Sequence, residues 1–317
     1  VVRGDGGSLS ISSISSRDVE AAVCRVRRAG FMNYFGQQRV GDAGDMEDVG
    51  VRSFDVGREM LRHDFGAAIN LLMRGRKGGA GGREEAPEVR RAREEWVKSG
   101  GDVDAVLAAM PRSGMTRERK VLKGIKRYGK SEPLAALRTL PFGSRIFWIH
   151  AYQSYVFNVV AGERMRTLGP RVVVGDLYLP EEADGGGGNG HVRDRVRVVS
   201  DASVAADVRL SQVVLPLPGY GVMYPKNEIS NIYSTILKKD GITFNKESVP
   251  EGTAKGSYRK LTATVSRLSW EPLETGRGLA ERGHEDVMVH SAKFKFELEK
   301  GSFATMMLRE MFLTNFA

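Results

Sequence analysis

Residues 30–41 combine side chains that can contact both the bases and the phosphates of a nucleic acid. Their sequence is Gly-Phe-Met-Asn-Tyr-Phe-Gly-Gln-Gln-Arg-Val-Gly. Aromatic faces stack on bases, while amide and guanidinium groups hydrogen-bond to base edges and phosphates. The segment therefore indicates a nucleic-acid site. A plain strand followed by a Gly-rich turn is the ordinary alternative.

The composition agrees with a polyanionic partner. The chain has 317 residues, a net charge of +9 and a pI near 9.6, with 48 Lys and Arg against 39 Asp and Glu. This charge favours a nucleic acid or an anionic membrane surface. The length and the 41% apolar content suffice for two domains, or for one large domain with an insertion.

Several classes of site and protein are excluded by the sequence. Cys24 is the only cysteine, so neither an intrachain disulfide nor a cysteine-based zinc cluster is possible. The five His lack paired metal-ligand spacing, and no metal is expected. No run of eighteen apolar residues occurs, so we expect no membrane span. Because the chain begins with Val1, we expect it to be the C-terminal portion of a longer protein.

Helical patterns dominate the first half and deliver the chain into residues 30–41. The apolar spacing predicts a helix over 16–29, with Ser16 or Asp18 as its N-cap and Gly30 after its C-terminus. The other predicted helices cover 55–74, 87–98, 102–110, 116–127, 132–139 and 143–161. The last has a wide apolar face that His150, Gln153 and Asn158 interrupt. We interpret His150 as partly buried rather than catalytic.

The second half mixes strands and helices. We predict short strands at 172–174, 196–199 and 213–217, a helix at 228–239, and alternating strands at 260–268 and 292–299. A closing helix follows Gly301-Ser302, with Ser302 as its N-cap. The pattern indicates a mixed α/β (α+β) fold with antiparallel sheet. The Gly-rich stretches 76–82 and 185–190 are predicted to be loops; the first lacks the ending of a phosphate loop.

Five segments, in order along the chain, resemble the TruD-type RNA pseudouridine synthases, and in particular their eukaryotic branch. The first, Phe31-Met-Asn-Tyr-Phe-Gly-Gln-Gln-Arg39, resembles the family motif NYFGxQRFG, with Val40 where Phe is usual. The other four are Phe147-Trp-Ile-His-Ala-Tyr-Gln-Ser-Tyr-Val-Phe-Asn158, Leu215-Pro-Leu-Pro-Gly-Tyr-Gly-Val-Met-Tyr-Pro-Lys-Asn227, Gly256-Ser-Tyr-Arg-Lys-Leu261 and Gly301-Ser-Phe-Ala-Thr-Met-Met-Leu-Arg-Glu310.

This resemblance implies a domain arrangement. The family has a pseudouridine synthase core built on antiparallel sheet, into which a mixed α/β TRUD domain is inserted. By that likeness, residues 1–66 and 285–317 form a partial catalytic core, and 67–284 form the inserted domain. Both Gly-rich loops then lie in the insertion.

The resemblance also implies a reaction, the isomerisation of uridine to pseudouridine in RNA, without a metal or organic cofactor. An Asp carboxylate initiates it, and the base detaches, rotates and rejoins through carbon. By motif match, Asn33 and Phe35 take the catalytic positions beside that Asp, and Tyr34 points into the core. The expected RNA-binding residues are Gln37, Gln38, Arg39, Arg259 and Lys260.

The nucleophilic Asp itself is missing from the pattern. In the family it lies in a GxKDxxA-type segment ahead of the NYFG motif, and no such segment occurs here. Lys239-Asp240 lies far downstream, and Asp5 has no Lys beside it. We therefore expect the 317-residue chain alone to be inactive because it is truncated. The alternative is a catalytically inactive RNA-binding protein that retains the fold.

The remaining expectations concern partners and place. RNA is the expected partner, tRNA first and other RNAs as well, and no membrane is involved. The chain is expected to be a monomer. Its localisation stays open between nucleus, cytoplasm and an organelle.

Overall fold

The computed structural model describes residues 14–41, 50–75, 85–180, 192–246, 254–273, 288–289 and 291–313. The helices of this part are α1 (Ser16–Ala29), α2 (Gln37–Val40), α3 (Ser53–Leu61), α4 (Phe65–Arg74), α5 (Pro87–Lys98), α6 (Val103–Ala109), α7 (Thr116–Tyr128), α8 (Pro133–Leu137), α9 (Phe142–Leu168), α10 (Val192–Arg195), α11 (Ala202–Asp207), α12 (Ile229–Lys239) and α13 (Ala304–Leu313). The strands are β1 (Ile14–Ser15), β2 (Phe31–Met32), β3 (Leu177–Tyr178), β4 (Arg197–Val198), β5 (Val213–Leu217), β6 (Ser257–Lys260), β7 (Thr262–Ala263), β8 (Val265–Pro272), β9 (Met288–Val289) and β10 (Ala292–Leu298).

Helix α1 has the bounds predicted from its apolar spacing. Its buried residues are those of the predicted face, Val19, Ala22, Val23 and Val26. The predicted N-cap was wrong, because the hydroxyl of Ser15 accepts the backbone N–H of Asp18 at 3.1 Å. Gly30 ends the helix with a φ of +72°, in the region that favours glycine.

All strand pairs among the described residues are antiparallel. β2 pairs with β7, β1 with β9 and β8 with β10, while β4, β3, β5 and β6 form a four-stranded sheet in that order. The helices pack around these small sheets. The predicted mixed α/β class with antiparallel sheet is therefore confirmed.

Helix α9 is the central element of the larger core. Its buried side chains include Trp148, Tyr152, Val156 and Phe157. Helix α3 packs against it so closely that a Cβ on Gly57 would lie 1.9 Å from the carbonyl oxygen of Trp148. Near its C-terminal end, the buried guanidinium of Arg164 forms an ion pair with Asp176 at 2.7 Å. The helix therefore runs to Leu168, seven residues beyond the predicted end.

Other element predictions were wrong in part. The predicted helix 55–74 is two helices, and Asp64 caps the second through the N–H of Ala67. Residues 172–174 are not a strand; the strand that pairs with β5 is Leu177–Tyr178. The Gly-rich stretches 76–82 and 185–190 lie outside the described residues. Within the described ranges, every helix is too short or too polar to cross a membrane.

The described residues form two main buried clusters and a smaller third one. One joins α1 and α13 with β8, and it contains Val23, Phe31, Leu268 and Met311. The other joins α3 to α9 with α12 and begins at Met32. Leu268 lies inside the predicted insertion 67–284, yet it packs with the terminal elements. The division into core 1–66 and 285–317 with an insertion stays a prediction.

Candidate functional site

The segment after β2 lies where both main clusters meet. Phe31 belongs to one cluster and Met32 to the other. The strand ends at Met32, although the N–H of Asn33 still donates to Leu261 O at 3.0 Å. At Gly30, a Cβ would lie 2.4 Å from the carbonyl oxygen of Ala263, so the close approach to β7 requires glycine. Asn33 and Phe35 therefore project from an irregular segment rather than from a strand.

Arg259 fixes Asn33 from the far end of the chain. Its Nε donates to Asn33 O at 2.7 Å and its Nη2 to Asn33 Oδ1 at 2.6 Å, while Nη1 donates to Gly301 O at 2.9 Å. The amide of Asn33 also donates to Lys260 O at 3.2 Å. With 7% of its surface exposed, Asn33 is held in one orientation by these bonds.

The ring of Phe35 lies inside a cation–aromatic cluster. The Cζ of Arg259 is 4.0 Å from its centroid, and the rings of Phe157 and Phe303 meet it edge-on at 5.6 and 6.0 Å. Phe35 is half-buried. The guanidinium therefore covers one face of the ring.

Asn158 of α9 holds the backbone of Phe35. Its Oδ1 accepts from Phe35 N at 2.8 Å, and its Nδ2 donates to Phe35 O at 2.9 Å. Asn158 was not among the site residues predicted from the sequence. The signal was present, since an amide interrupting the apolar face of a central helix needs a hydrogen-bond partner.

Tyr34 packs against the larger core, and its predicted orientation away from Asn33 and Phe35 stays a prediction. Its hydroxyl lies beside α9, 3.3 Å from the position a Cβ on Gly162 would take. On the same side of the segment, Oε2 of Glu310 accepts from Met32 N at 2.7 Å. Burial raises the pKa of Tyr34, with a smaller contribution from the charge of Glu310. Burial also raises the pKa of the Glu310 carboxyl.

Helix α2 presents the remaining polar residues of the segment. Gln37 and Gln38 are exposed, and Arg39 is half-buried with its Cζ 5.7 Å from the ring of Phe147. The Nε of Arg39 is buried without a hydrogen-bond partner. Burial lowers the pKa of Arg39 itself. Burial, and then the positive charge of Arg39, lower the pKa of His150.

Arg39 and Arg259 form a pair of neighbouring cations. Burial and repulsion from Arg39 lower the pKa of Arg259 to about 10. Among the described residues, neither guanidinium forms an ion pair with a carboxylate. An anion bound beside them would offset the repulsion and replace water as their hydrogen-bond acceptor. The arrangement therefore suits a phosphate or a carboxylate.

The other candidate residues have partners within the chain or lie outside the described part. Lys260 forms an ion pair with Glu299 at 3.3 Å. Asp240, of the Lys239-Asp240 pair, accepts the hydroxyl of Tyr152 at 2.7 Å. Asp5 is not among the described residues. In the described part, no group of three His, Cys, Asp or Glu could hold a metal. The roles assigned to the site residues stay predictions.

Comparison with known proteins gives a consistent result. The sequence profile of tRNA pseudouridine synthase D (TruD) matches residues 9–311. The pseudouridylate synthase 7 homolog of Bos taurus is 29% identical over 329 residues, which cover 98% of this chain and 46% of that protein. A probable tRNA pseudouridine synthase D of Thermococcus gammatolerans is 29% identical, over 90% of this chain and 62% of the relative.

A solved structure shows the same fold. The crystal structure of a TruD protein from Methanosarcina mazei superposes with a TM-score of 0.71 at 24% identity, covering 94% of this chain and 65% of that one. This chain spans less than half the length of the Bos taurus relative named above.

Proposed function

Since the chain belongs to the TruD family, we propose that it forms part of an enzyme that isomerises uridine to pseudouridine in RNA. The observation that carries this proposal is the match of the family profile over residues 9–311, which includes the cluster around Asn33, Phe35 and Arg259. The basic pI near 9.6 agrees with an RNA substrate. The names of the relatives make tRNA the first candidate.

The site residues divide between base and phosphate in this proposal. The face of Phe35 opposite Arg259 stacks on the extruded uracil. Asn33 orients the base or ribose with the amide hydrogen that its bonds to Arg259 and Lys260 leave over. The cation pair Arg39 and Arg259 takes the anion, which is the phosphate of the target nucleotide. Gln37, Gln38 and Lys260 lie close in sequence to these groups and contact the RNA nearby.

We infer that the nucleophilic Asp lies outside this chain. In the described residues, Glu310 is the carboxylate hydrogen-bonded to this segment, and it is turned toward Met32 N and not toward Phe35. The 317-residue chain alone is therefore inactive. That same lack of a facing carboxylate also favours the second candidate, an RNA-binding protein that has lost catalysis.

The experiment that tests the proposal uses the natural protein encoded by the complete gene. It is incubated with unmodified tRNA, and pseudouridine is quantified by mass spectrometry of the digested RNA. We expect pseudouridine with the complete protein and none with residues 1–317. Absence of product with the complete protein, together with no Gly-x-Lys-Asp segment upstream, would leave the non-catalytic candidate. Product from residues 1–317 alone would refute the placement of the nucleophile.

The proposal extends to assembly and place. The chain acts as a monomer in the nucleus or the cytoplasm, with an organelle as a further location. As the C-terminal portion of the enzyme, the chain supplies most of the RNA-binding surface. Size-exclusion chromatography with light scattering tests the monomer, and a dimer mass would contradict it.

A further inference from the structure

Helix α7 carries a continuous cationic face opposite its buried face. Val121, Leu122 and Ile125 are buried. Lys120, Lys123 and Arg127 are exposed and spaced by three and four residues, so they lie on one face of the helix.

These three cations have no acidic partner among the described residues, unlike their neighbours. Glu118, the only acidic residue within α7, lies 3.7 Å from Arg93. Lys126, outside the face, pairs with Asp104 at 2.6 Å. On the paired strands β8 and β10, by contrast, the exposed Lys293 and Lys295 share the carboxylate of Glu271. The face of α7 lacks that compensation.

The start of α7 lies against α9, at the residue next to the one that Arg39 contacts. Arg117, at the start of α7, lies over the ring of Trp148 with its Cζ 6.0 Å from the centroid. The preceding residue of α9 is Phe147, against which Arg39 lies. From Arg117 to Arg127 the helix rises about 15 Å at 1.5 Å per residue. Positive charge therefore extends along α7 from Arg117, which contacts α9 one residue away from the ring that Arg39 contacts, to Arg127.

An aromatic residue ends this track. Tyr128 is 42% exposed, and the guanidinium of Arg127 lies 5.2 Å from its ring centroid. Proteins hold single-stranded nucleic acid with cationic side chains on its phosphates and with aromatic rings that stack on its bases. This surface offers both kinds of group. An anionic membrane would use the charges but not the single ring at the helix end.

We propose that the exposed face of α7, Lys120, Lys123 and Arg127, binds phosphates of the substrate RNA on the strand that flanks the target uridine. This rests on the proposed function, because it takes RNA as the substrate. Each phosphate contact releases counterions, so its loss is seen in the salt dependence of binding.

The test measures binding of the complete protein to a fluorescent single-stranded RNA of about 20 nucleotides by anisotropy at several salt concentrations. The variant is K120Q/K123Q/R127Q. The matched control, K98Q/K238Q/K239Q, removes the same charge from exposed positions on α5 and α12. Loss of three contacts at about 0.7 each makes the slope of log K against log salt shallower by about 2 in the variant. The control keeps the wild-type slope. Circular dichroism melting verifies that both variants fold.

The outcomes separate the two proposals. Wild-type slopes in both triple variants would overturn the role of α7 and leave the proposed function intact. An equally reduced salt slope in the variant and the control would also overturn the role of α7, since net charge alone would then explain binding. No RNA binding by the unsubstituted complete protein would refute RNA as the substrate and remove the basis for both. A variant that loses binding to anionic vesicles but keeps its RNA slope would assign the face to a membrane and contradict the proposal.

Discussion

Replacing Arg259 tests whether one guanidinium holds the candidate site together. Arg259→Gln removes the donors to Asn33 O, Asn33 Oδ1 and Gly301 O, and it removes the cation over Phe35. Arg259→Lys keeps a charge but not the planar fork, and a single ammonium cannot reach all three oxygens in the same way.

The magnitude follows from two opposing effects. Three hydrogen bonds from a charged donor contribute about 1.5 kcal/mol each, and a desolvated cation–π contact contributes about 2 kcal/mol. Against this, the burial and repulsion that lower the pKa of Arg259 to about 10 correspond to about 3 kcal/mol. The net loss of unfolding free energy in Arg259→Gln is therefore about 3 kcal/mol, or about 5 °C in Tm for a chain of this length.

The assay combines global and local measurements. Circular dichroism gives Tm, and amide hydrogen exchange reports on Asn33 and Phe35, whose N–H groups bond to Leu261 O and Asn158 Oδ1. We expect both amides to exchange faster in both Arg259 variants, with amides of α5 unchanged. Arg28→Gln on the exposed side of α1 is the control, and its Tm should stay within about 1 °C because surface changes are nearly neutral.

The reasoning is refuted if Arg259→Gln melts with the control and exchange at Asn33 is unaltered. That result would mean that the neutral site assembles without the guanidinium. A full stability loss in Arg259→Gln with wild-type behaviour in Arg259→Lys would show that charge, and not fork geometry, is what the site requires.

Three further predictions concern neighbouring groups. Burial raises the pKa of Glu310, so its stabilising contribution is present at low pH and is lost as the pH rises through that raised pKa. The Tm of Glu310→Gln should therefore rise relative to that of the wild type as the pH increases from 4 to 8. A difference in Tm that stays constant with pH would contradict this. The lowered pKa of His150 makes it neutral at pH 7, so its stabilising contribution is lost as pH falls below the unfolded value of about 6.5. In NMR, His150 should titrate below that value, and Arg39→Gln should move the midpoint upward; an unmoved midpoint would show that the two residues are not coupled. Phe35→Ala should reduce pseudouridine formation by the complete enzyme more than it reduces stability. Removing a half-buried ring should lower the free energy of unfolding by about 2 kcal/mol. A lower Tm with full turnover would show that Phe35 only packs in the fold.

Local elements followed from the sequence where local physics decides them. Helix α1 has its predicted bounds because apolar spacing and a terminal glycine act within a few residues. The predicted strand at 172–174 was wrong because valines favour a strand but do not specify which residues pair. Leu177, and not Val173, pairs with Val214. The helix 55–74 divided because Asp64 offers a competing cap that apolar periodicity does not weigh.

The candidate site shows the same division. Its sequence motif located Asn33, Phe35 and Arg39 in one segment, and the apolar face of α9 pointed to a central helix. The sequence did not show that Asn158 hydrogen-bonds to the backbone of Phe35. It also did not show that Arg259 donates to both the backbone oxygen and the side-chain oxygen of Asn33.

By itself, then, the sequence determined the family, the helical segments and the polar residues that surround the site. Only the tertiary structure decided which of those residues are already bonded to one another and which still lack an acidic partner. Arg259 and Asn33 lie 226 positions apart, and their contact depends on β2 pairing with β7 and on β6 leading into it. Such a contact has no local signature, because it is fixed by how distant elements pack and not by the propensities of neighbouring residues.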